Sequence, residues 1–156
     1  MSRACCALIL ATKVLGVSAL RNPLMIHKVT YVAQRLFGLK LGYRFAWLSS
    51  GPYSRSLSKE LTTTIIPCQC ALKDIDGIAA KVADLISCVC RNTGLSPSES
   101  LDAIAGTIML SIDVYPAPSD VAGELRRRKP SLSRDVIDST IKVLFPYLRS
   151  LRQRTQ

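Results

Sequence analysis

Apolar positions along this chain mostly recur every three or four residues, the spacing that lays side chains on one face of a helix. Asn22-Pro23 predicts a helix start, with Asn22 at the N-cap and proline in the first helical position. Met25, Val29, Val32, Ala33, Leu36 and Phe37 then share one face, Lys28, Gln34 and Arg35 take the other, and Gly38 ends the helix. From Leu39 the period changes to two. Leu39, Leu41, Tyr43, Phe45 and Trp47 alternate with Lys40, Gly42, Arg44 and Ala46, which predicts a half-buried strand broken at Ser50-Gly51-Pro52. Ser54 is placed to cap a short helix through Leu57 and Leu61. Asp74 opens another, with Ile75, Ile78, Ala79, Val82, Leu85, Ile86 and Val89 on one face and Gly94 as its stop. Ser96-Pro97-Ser98-Glu99 is a capping box with proline just inside the helix that carries Leu101, Ile104, Ala105, Ile108 and Met109. Tyr115-Pro116-Ala117-Pro118 predicts a loop, Asp120 to Arg128 a shorter helix, and Lys129-Pro130-Ser131-Leu132 a turn. Ser133 caps a last helix through Val136, Ile137, Ile141, Leu144, Phe145 and Leu148, which Pro146 should kink or end.

The N-terminal run from Ala4 to Leu20 is largely apolar but carries Lys13 in its middle, and no clear small-x-small cleavage site follows. It is too short and too interrupted to span a bilayer, and is expected to be a buried amphipathic helix of a cytoplasmic protein. With no internal repeat and no long linker, the expectation is mainly α with a short β element. Six or seven helices and one or two short strands would form a compact helical bundle. Residues 1–148 are expected to form a single helical domain and 149–156, with Arg149, Arg152 and Arg154, a basic C-terminal tail.

The 156 residues suffice for one aliphatic core, since 48% are hydrophobic and only 6% aromatic. The net charge of +10 is unevenly spread. Residues 1–59 hold nine Lys/Arg and no Asp/Glu, residues 60–118 three and seven, and residues 119–156 nine and four. If the two basic segments meet, they make a positive face for a polyanion; otherwise the charge serves solubility.

Six cysteines come as Cys5-Cys6, Cys68-x-Cys70 and Cys88-x-Cys90. None has Cys-x-x-Cys spacing, and two residues on a helix are about 200° apart, so Cys88 and Cys90 cannot face one metal. Buried free thiols, disulfides (for instance between the 68/70 loop and the 88/90 helix end) and a metal site stay open as alternatives. Disulfides in a cytoplasmic chain would point to a hyperthermophilic source.

Catalytic signatures are missing. His27, the sole histidine, has no nearby Cys or carboxylate in sequence, and is expected to be a packed or surface residue. The glycines match neither a phosphate loop nor a dinucleotide fingerprint, and Gly-x-Ser-x-Gly does not occur. Asp74, Asp76 and Asp84 suit the start of a helix without a metal. No enzyme, cofactor or metal is expected.

Two basic features remain. Arg126-Arg127-Arg128-Lys129 ends one helix just before the capped start of the next, a helix-turn-helix outline. There Ser131, Ser133 and Arg134 would read bases while the arginines contact phosphates. The plainer account is that Lys and Arg favour helix C-termini. The other feature is Arg44, Tyr53 and Arg55 around Gly51-Pro52, a candidate partner-binding patch.

The stretch Val29-Thr30-Tyr31-Val32-Ala33-Gln34, then Phe37-Gly38-Leu39-Lys40-Leu41-Gly42-Tyr43-Arg44-Phe45, then Gly51-Pro52-Tyr53-Ser54 with Leu57 and Leu61, resembles the YwgA-like family of small prokaryotic proteins. Leu101 to Leu110, and Leu125, Lys129, Pro130 and Ser133, fit its C-terminal pattern more loosely. A more distant likeness is to Panacea-type domains associated with antitoxins, which also carry a Tyr-Gly-Pro turn after a strand. The cysteine pairs and the basic first third depart from these patterns. The resemblance implies a helical, winged-helix-like domain and no established reaction or ligand. Together these features lead to the expectation of a non-enzymatic, basic, winged-helix-like regulator that binds DNA through Arg126, Arg127, Arg128, Lys129, Ser133 and Arg134. The alternative is a protein-interaction module, antitoxin-like or homodimeric, with an acidic partner and no membrane.

Overall fold

A computed structural model describes residues 2–49 and 51–154, the side chain of Arg154 excepted. Ser50 of the expected turn and the last two residues of the expected tail lie outside the described residues. Among those described, seven α-helices and one two-stranded antiparallel sheet make up the fold. The chain is therefore mainly α with a short β element. It divides into two compact units, Met1–Asp84 and Leu85–Gln156.

The first unit contains α1 (Arg3–Leu15), a 3-10 turn (Val17–Arg21), α2 (Pro23–Leu36), β1 (Ala46–Leu48), β2 (Gly51–Tyr53), α3 (Arg55–Leu61) and the start of α4 (Ile75–Thr93). Helix α1 is buried along one face, with Ala4, Leu10 and Ala11 inaccessible, and α2 faces it with Val29, Val32 and Ala33. Burying these aliphatic faces is the main term holding the pair together. No helix is long and apolar enough to cross a membrane. At the end of α2 the N–H of Leu39 reaches Ala33 O at 3.2 Å past Gly38, whose φ of +74° only glycine adopts without strain.

The expected strand from Leu39 is largely not a strand. Its alternation is real: Leu39, Leu41 and Tyr43 are buried while Lys40, Gly42 and Arg44 face water. Ladder pairing starts only at Ala46, opposite Tyr53. Upstream, the Gln34 side chain takes the place of a neighbouring strand. Its Oε1 accepts the Tyr43 N–H at 3.1 Å and its Nε2 donates to Tyr43 O at 3.0 Å. Period two reports which face is buried, not what satisfies the backbone.

The second unit contains the rest of α4, α5 (Pro97–Ile108) with a π-helical turn (Met109–Asp113), α6 (Val121–Arg128) and α7 (Arg134–Arg154). Its core is aliphatic, with Leu101, Ile104, Ile108, Leu125, Ile137 and Leu144 fully buried. The caps expected at Ser96 and Ser133 form, and Asp120 supplies a further one. Ser96 Oγ accepts the Glu99 N–H and Glu99 Oε1 accepts the Ser96 N–H, both at 3.2 Å. Asp120 accepts the Gly123 N–H at 3.1 Å, and Ser133 the Val136 N–H at 3.2 Å. Pro146 does not end α7. Phe145 and Pro146 lie on its exposed side, where water can take up the carbonyl that proline leaves unpaired, while Leu148 and Leu151 carry the buried face onward. The expected tail is thus helical through Arg154.

Candidate functional site

The basic residues at the α6–α7 turn do not act as one group. Helix α6 is short and polar, held through Ala122 and Leu125, which are buried. A surface cleft of about 450 Å³ opens beside it, lined by Gly123, Arg126, Arg127, Pro130 and Arg134. Arg126 is exposed and makes no ion pair among the described residues. Arg127 is 69% exposed and meets Glu124 one turn back at 2.6 Å. Arg134 forks onto Asp120 at 3.1 and 3.2 Å, with Asp138 further off at 3.7 Å. The remaining cations point elsewhere. Arg128 Nε donates to Glu124 Oε1 at 2.9 Å, and Lys129 Nζ lies 3.8 Å from Asp102, outside the cleft lining. Ser133 is spent on capping α7, and Ser131 is exposed.

Carboxylates therefore set the directions of these arginines. Hydrogen bonds from Arg127, and then from Arg128, hold the Glu124 carboxyl down at about pKa 2. The Asp120 carboxyl also lies below its ordinary value, first through the Gly123 N–H and then through Arg134. A Cβ at Gly123 would fall on the Asp120 carboxylate, so glycine leaves room for that cap.

The patch of Arg44, Tyr53 and Arg55 belongs to the first unit. Both arginines are exposed. Tyr53 is half-buried and stacks on His27, with ring centroids 4.6 Å apart and planes 13° apart. His27 is buried, at 1% exposure, and its Nδ1 accepts the Ser54 N–H at 3.0 Å. Burial holds its pKa down to about 4, so the ring is neutral. Phe45 meets His27 edge-on at 6.3 Å and Tyr31 at 5.3 Å. The Gly-Pro-Tyr-Ser turn is thus seated on an aromatic and imidazole floor, and Ser54 goes on to cap α3 by accepting the Leu57 N–H at 3.2 Å.

Two clusters escaped the sequence patterns. Arg3 forks onto Glu60 at 2.9 and 2.8 Å, donates to Leu41 O at 3.1 Å and lies 4.1 Å over the Tyr43 ring. Tyr43 Oη donates to the same carboxylate at 3.1 Å. The Arg3 hydrogen bond keeps Glu60 below the usual carboxylate range, whereas burial, then Glu60, raises the Tyr43 phenol. Glu60 is the only carboxylate among the first 73 residues, a signal that it was reserved for one partner. The cysteines also pair otherwise than the suggested 68/70 to 88/90 bridges. Cys5 bonds Cys68 and Cys6 bonds Cys70, while Cys88 and Cys90 are free. Cys90 Sγ sits 3.2 Å from Ser100 Oγ. No group of three or more His, Cys, Asp or Glu suited to a metal ion occurs among the described residues. Comparison of the chain with protein-family models, curated proteins and solved structures gives no match.

Proposed function

We propose that this protein is a non-enzymatic nucleic-acid-binding regulator that grips the phosphate backbone at the α6–α7 turn. The observation that supports this most is the cleft beside α6, where Arg126, Arg127 and Arg134 converge on one solvent-open volume. The carboxylates do not oppose the idea. Exposed ion pairs contribute about 0–1 kcal/mol, so a phosphate can displace Glu124 or Asp120 at little cost. Until then those acids keep the guanidinium forks extended instead of collapsed on the surface. The winged-helix-like comparison rests on α6 and α7 alone, because hairpin β1–β2 belongs to the first unit. The likeness to the YwgA-like family supports a helical binding domain and adds no ligand.

Fluorescence anisotropy with labelled duplex DNA, across about 50 to 300 mM salt, tests the proposal. Each phosphate neutralised on duplex DNA contributes about 0.9 to the slope of log affinity on log salt. Replacing Arg126, Arg127 and Arg134 by Ala together should abolish most of the slope. A flat response of the unaltered protein at low salt would remove nucleic acid as the ligand.

A second reading, a protein-interaction module of antitoxin-like or homodimeric type, draws on a different observation. Val17 and Ile65 in the first unit are 73% and 80% exposed. Large apolar side chains left in water are candidate contacts for a protein partner where they join in one patch. The net charge of +10 suits an acidic partner. Light scattering and pull-down with an acidic partner distinguish this reading from DNA binding.

A further inference from the structure

The segment from residue 62 to residue 73 joins α3 to α4 without a helix or strand of its own. Its first three residues finish α3: the hydroxyls of Thr62, Thr63 and Thr64 donate to the carbonyls of Lys59 and Glu60. From Ile65 through Cys70, no hydrogen bond holds the chain among the described residues. Burial does not hold it either, since Ile65 and Ile66 remain 80% and 58% exposed.

Side-chain links to α1 tie this stretch of chain, and the four found here among the described residues run in the same order along both segments. Arg3 takes Glu60, Cys5 takes Cys68, Cys6 takes Cys70 and Lys13 takes Asp76. The segment is a strap laid along α1, tied at its ends by ion pairs and in its middle by two disulfides. Between strap and helix lies a cleft of about 310 Å³, where Leu8, Ile9 and Leu20 face Ile66, Pro67 and Cys68. The core of the unit extends well beyond the strap: Leu10 and Ala11 on α1, Val29 and Val32 on α2, and Leu57 on α3 are buried, and α1 packs on both α2 and α3.

We propose that the strap is a thiol-controlled cover, which reduction of Cys5–Cys68 and Cys6–Cys70 releases from α1 to open the apolar floor at Leu8 and Ile9. The reductant is a dithiol. Its thiolate attacks the Cys68 or Cys70 sulfur, because these are half-exposed while Cys5 and Cys6 are buried. The S–S bond breaks, and the buried sulfur leaves as a thiolate and takes up a proton. The reductant's second thiolate then attacks the mixed disulfide and closes its own S–S bond. Cys68 or Cys70 is left as a thiol. Each bridge thus becomes two thiols as one dithiol becomes a disulfide. Helix α1 still packs on α2 and α3, so opening is local rather than global.

Proteinase K digestion read by mass spectrometry tests this on the full chain, oxidised and after dithiothreitol, with helical circular dichroism followed alongside. A Cys68→Ser/Cys70→Ser variant without reductant serves as the covalent control. Cleavage inside residues 62–73 should rise at least about tenfold on reduction, because cutting follows the population of the open form. The circular dichroism should stay unchanged, and re-oxidation of the unaltered protein should restore resistance. Alkylation should label two cysteines before reduction and six after it. Equal cleavage rates in the oxidised and reduced protein would overturn the proposal. So would loss of helical signal on reducing the unaltered protein, since the bridges would then be staples of the whole unit. Alkylation of all six cysteines without reductant would also sink it.

Discussion

His27 and Ser54, 27 residues apart, are joined by a buried hydrogen bond in which the imidazole Nδ1 accepts the serine N–H at 3.0 Å. The bond fixes the entry to α3 and requires that Nδ1 carry no proton. Its ring is stacked on Tyr53, so one neutral histidine positions two consecutive residues of the turn. This gives the fold a pH dependence. The folded pKa of about 4 lies below the ordinary 6.5, so the unfolded chain takes the proton first as pH falls. Stability is full above about pH 6.5 and declines towards pH 4, by up to about 3 kcal/mol at about 1.4 kcal/mol per unit. Urea unfolding between pH 5 and 7 isolates this effect, because Glu60, Glu99, Glu124 and Asp120 lose their contributions only lower down. A His27→Leu variant should be less stable throughout and show little slope in that window. An unchanged slope would assign the pH dependence to another group.

Gln34 provides a second dependence on a single side chain. Gln34→Ala leaves the Tyr43 N–H and C=O without the partners they have now. The expected loss is about 1–2 kcal/mol, that of an abandoned partly buried pair. Amide exchange at Tyr43 should quicken while Leu10 and Val32 stay protected. Gln34→Glu keeps the acceptor but loses the donor, and should fall between alanine and the native residue. Equal exchange rates in all three proteins would show that water replaces the amide without cost.

These two examples show what was legible in the sequence. Caps such as Ser54, Ser96 with Glu99 and Ser133 act within three residues, and the chemistry of the residue alone announces them, whereas Asn22, expected as a cap, makes no side-chain capping bond. Most helical faces were legible for the same reason, because period reports burial, but α2 is buried all round from Ile26 to Ala33, and Lys28, expected on its polar side, is 4% exposed. His27 to Ser54, Arg3 to Glu60 and Cys5 to Cys68 are bonds across 27, 57 and 63 residues. No local spacing encodes them. The charge asymmetry was visible, but not that Glu60 is committed to Arg3 or that Glu124 and Asp120 sit among the arginines of α6 and α7. Candidate site residues were therefore found by type, and separated only by geometry.

The Arg3–Glu60 fork is open enough to water for its contribution to be small. The two side chains are 38% and 34% exposed, so solvent screening must be discounted from any Coulombic estimate. A double-mutant cycle with Arg3→Met and Glu60→Gln should give a coupling of about 0.5–1 kcal/mol, falling further in about 1 M salt. Glu60 is held below its ordinary pKa, so its contribution is present at neutral pH and fades as pH drops through the folded value. A coupling of several kcal/mol that ignored salt would mean that the cation over the Tyr43 ring is far better desolvated than its exposure indicates.

Within the proposed nucleic-acid interface, the arginines of α6 are not equivalent. Arg126 lines the cleft and is free of carboxylates, whereas Arg128 is turned back onto Glu124 and stands outside the lining. If duplex DNA docks at the cleft, Arg126→Ala should weaken binding to every sequence alike and lower the salt slope by about one. Arg128→Ala should leave the slope nearly unchanged, because it stands outside the cleft lining. It should also release Glu124 to Arg127 alone, making Arg127 harder to draw off. Any loss of affinity would then appear at low salt only. Anisotropy titrations of the two single variants over the same salt range separate these outcomes. Equal losses at Arg126 and Arg128 would mean that DNA responds to the net charge of α6 and not to the cleft. The ligand would then have to be sought elsewhere on the chain, with the exposed Arg44 and Arg55 beside the Gly51-Pro52 turn as the next residues to replace.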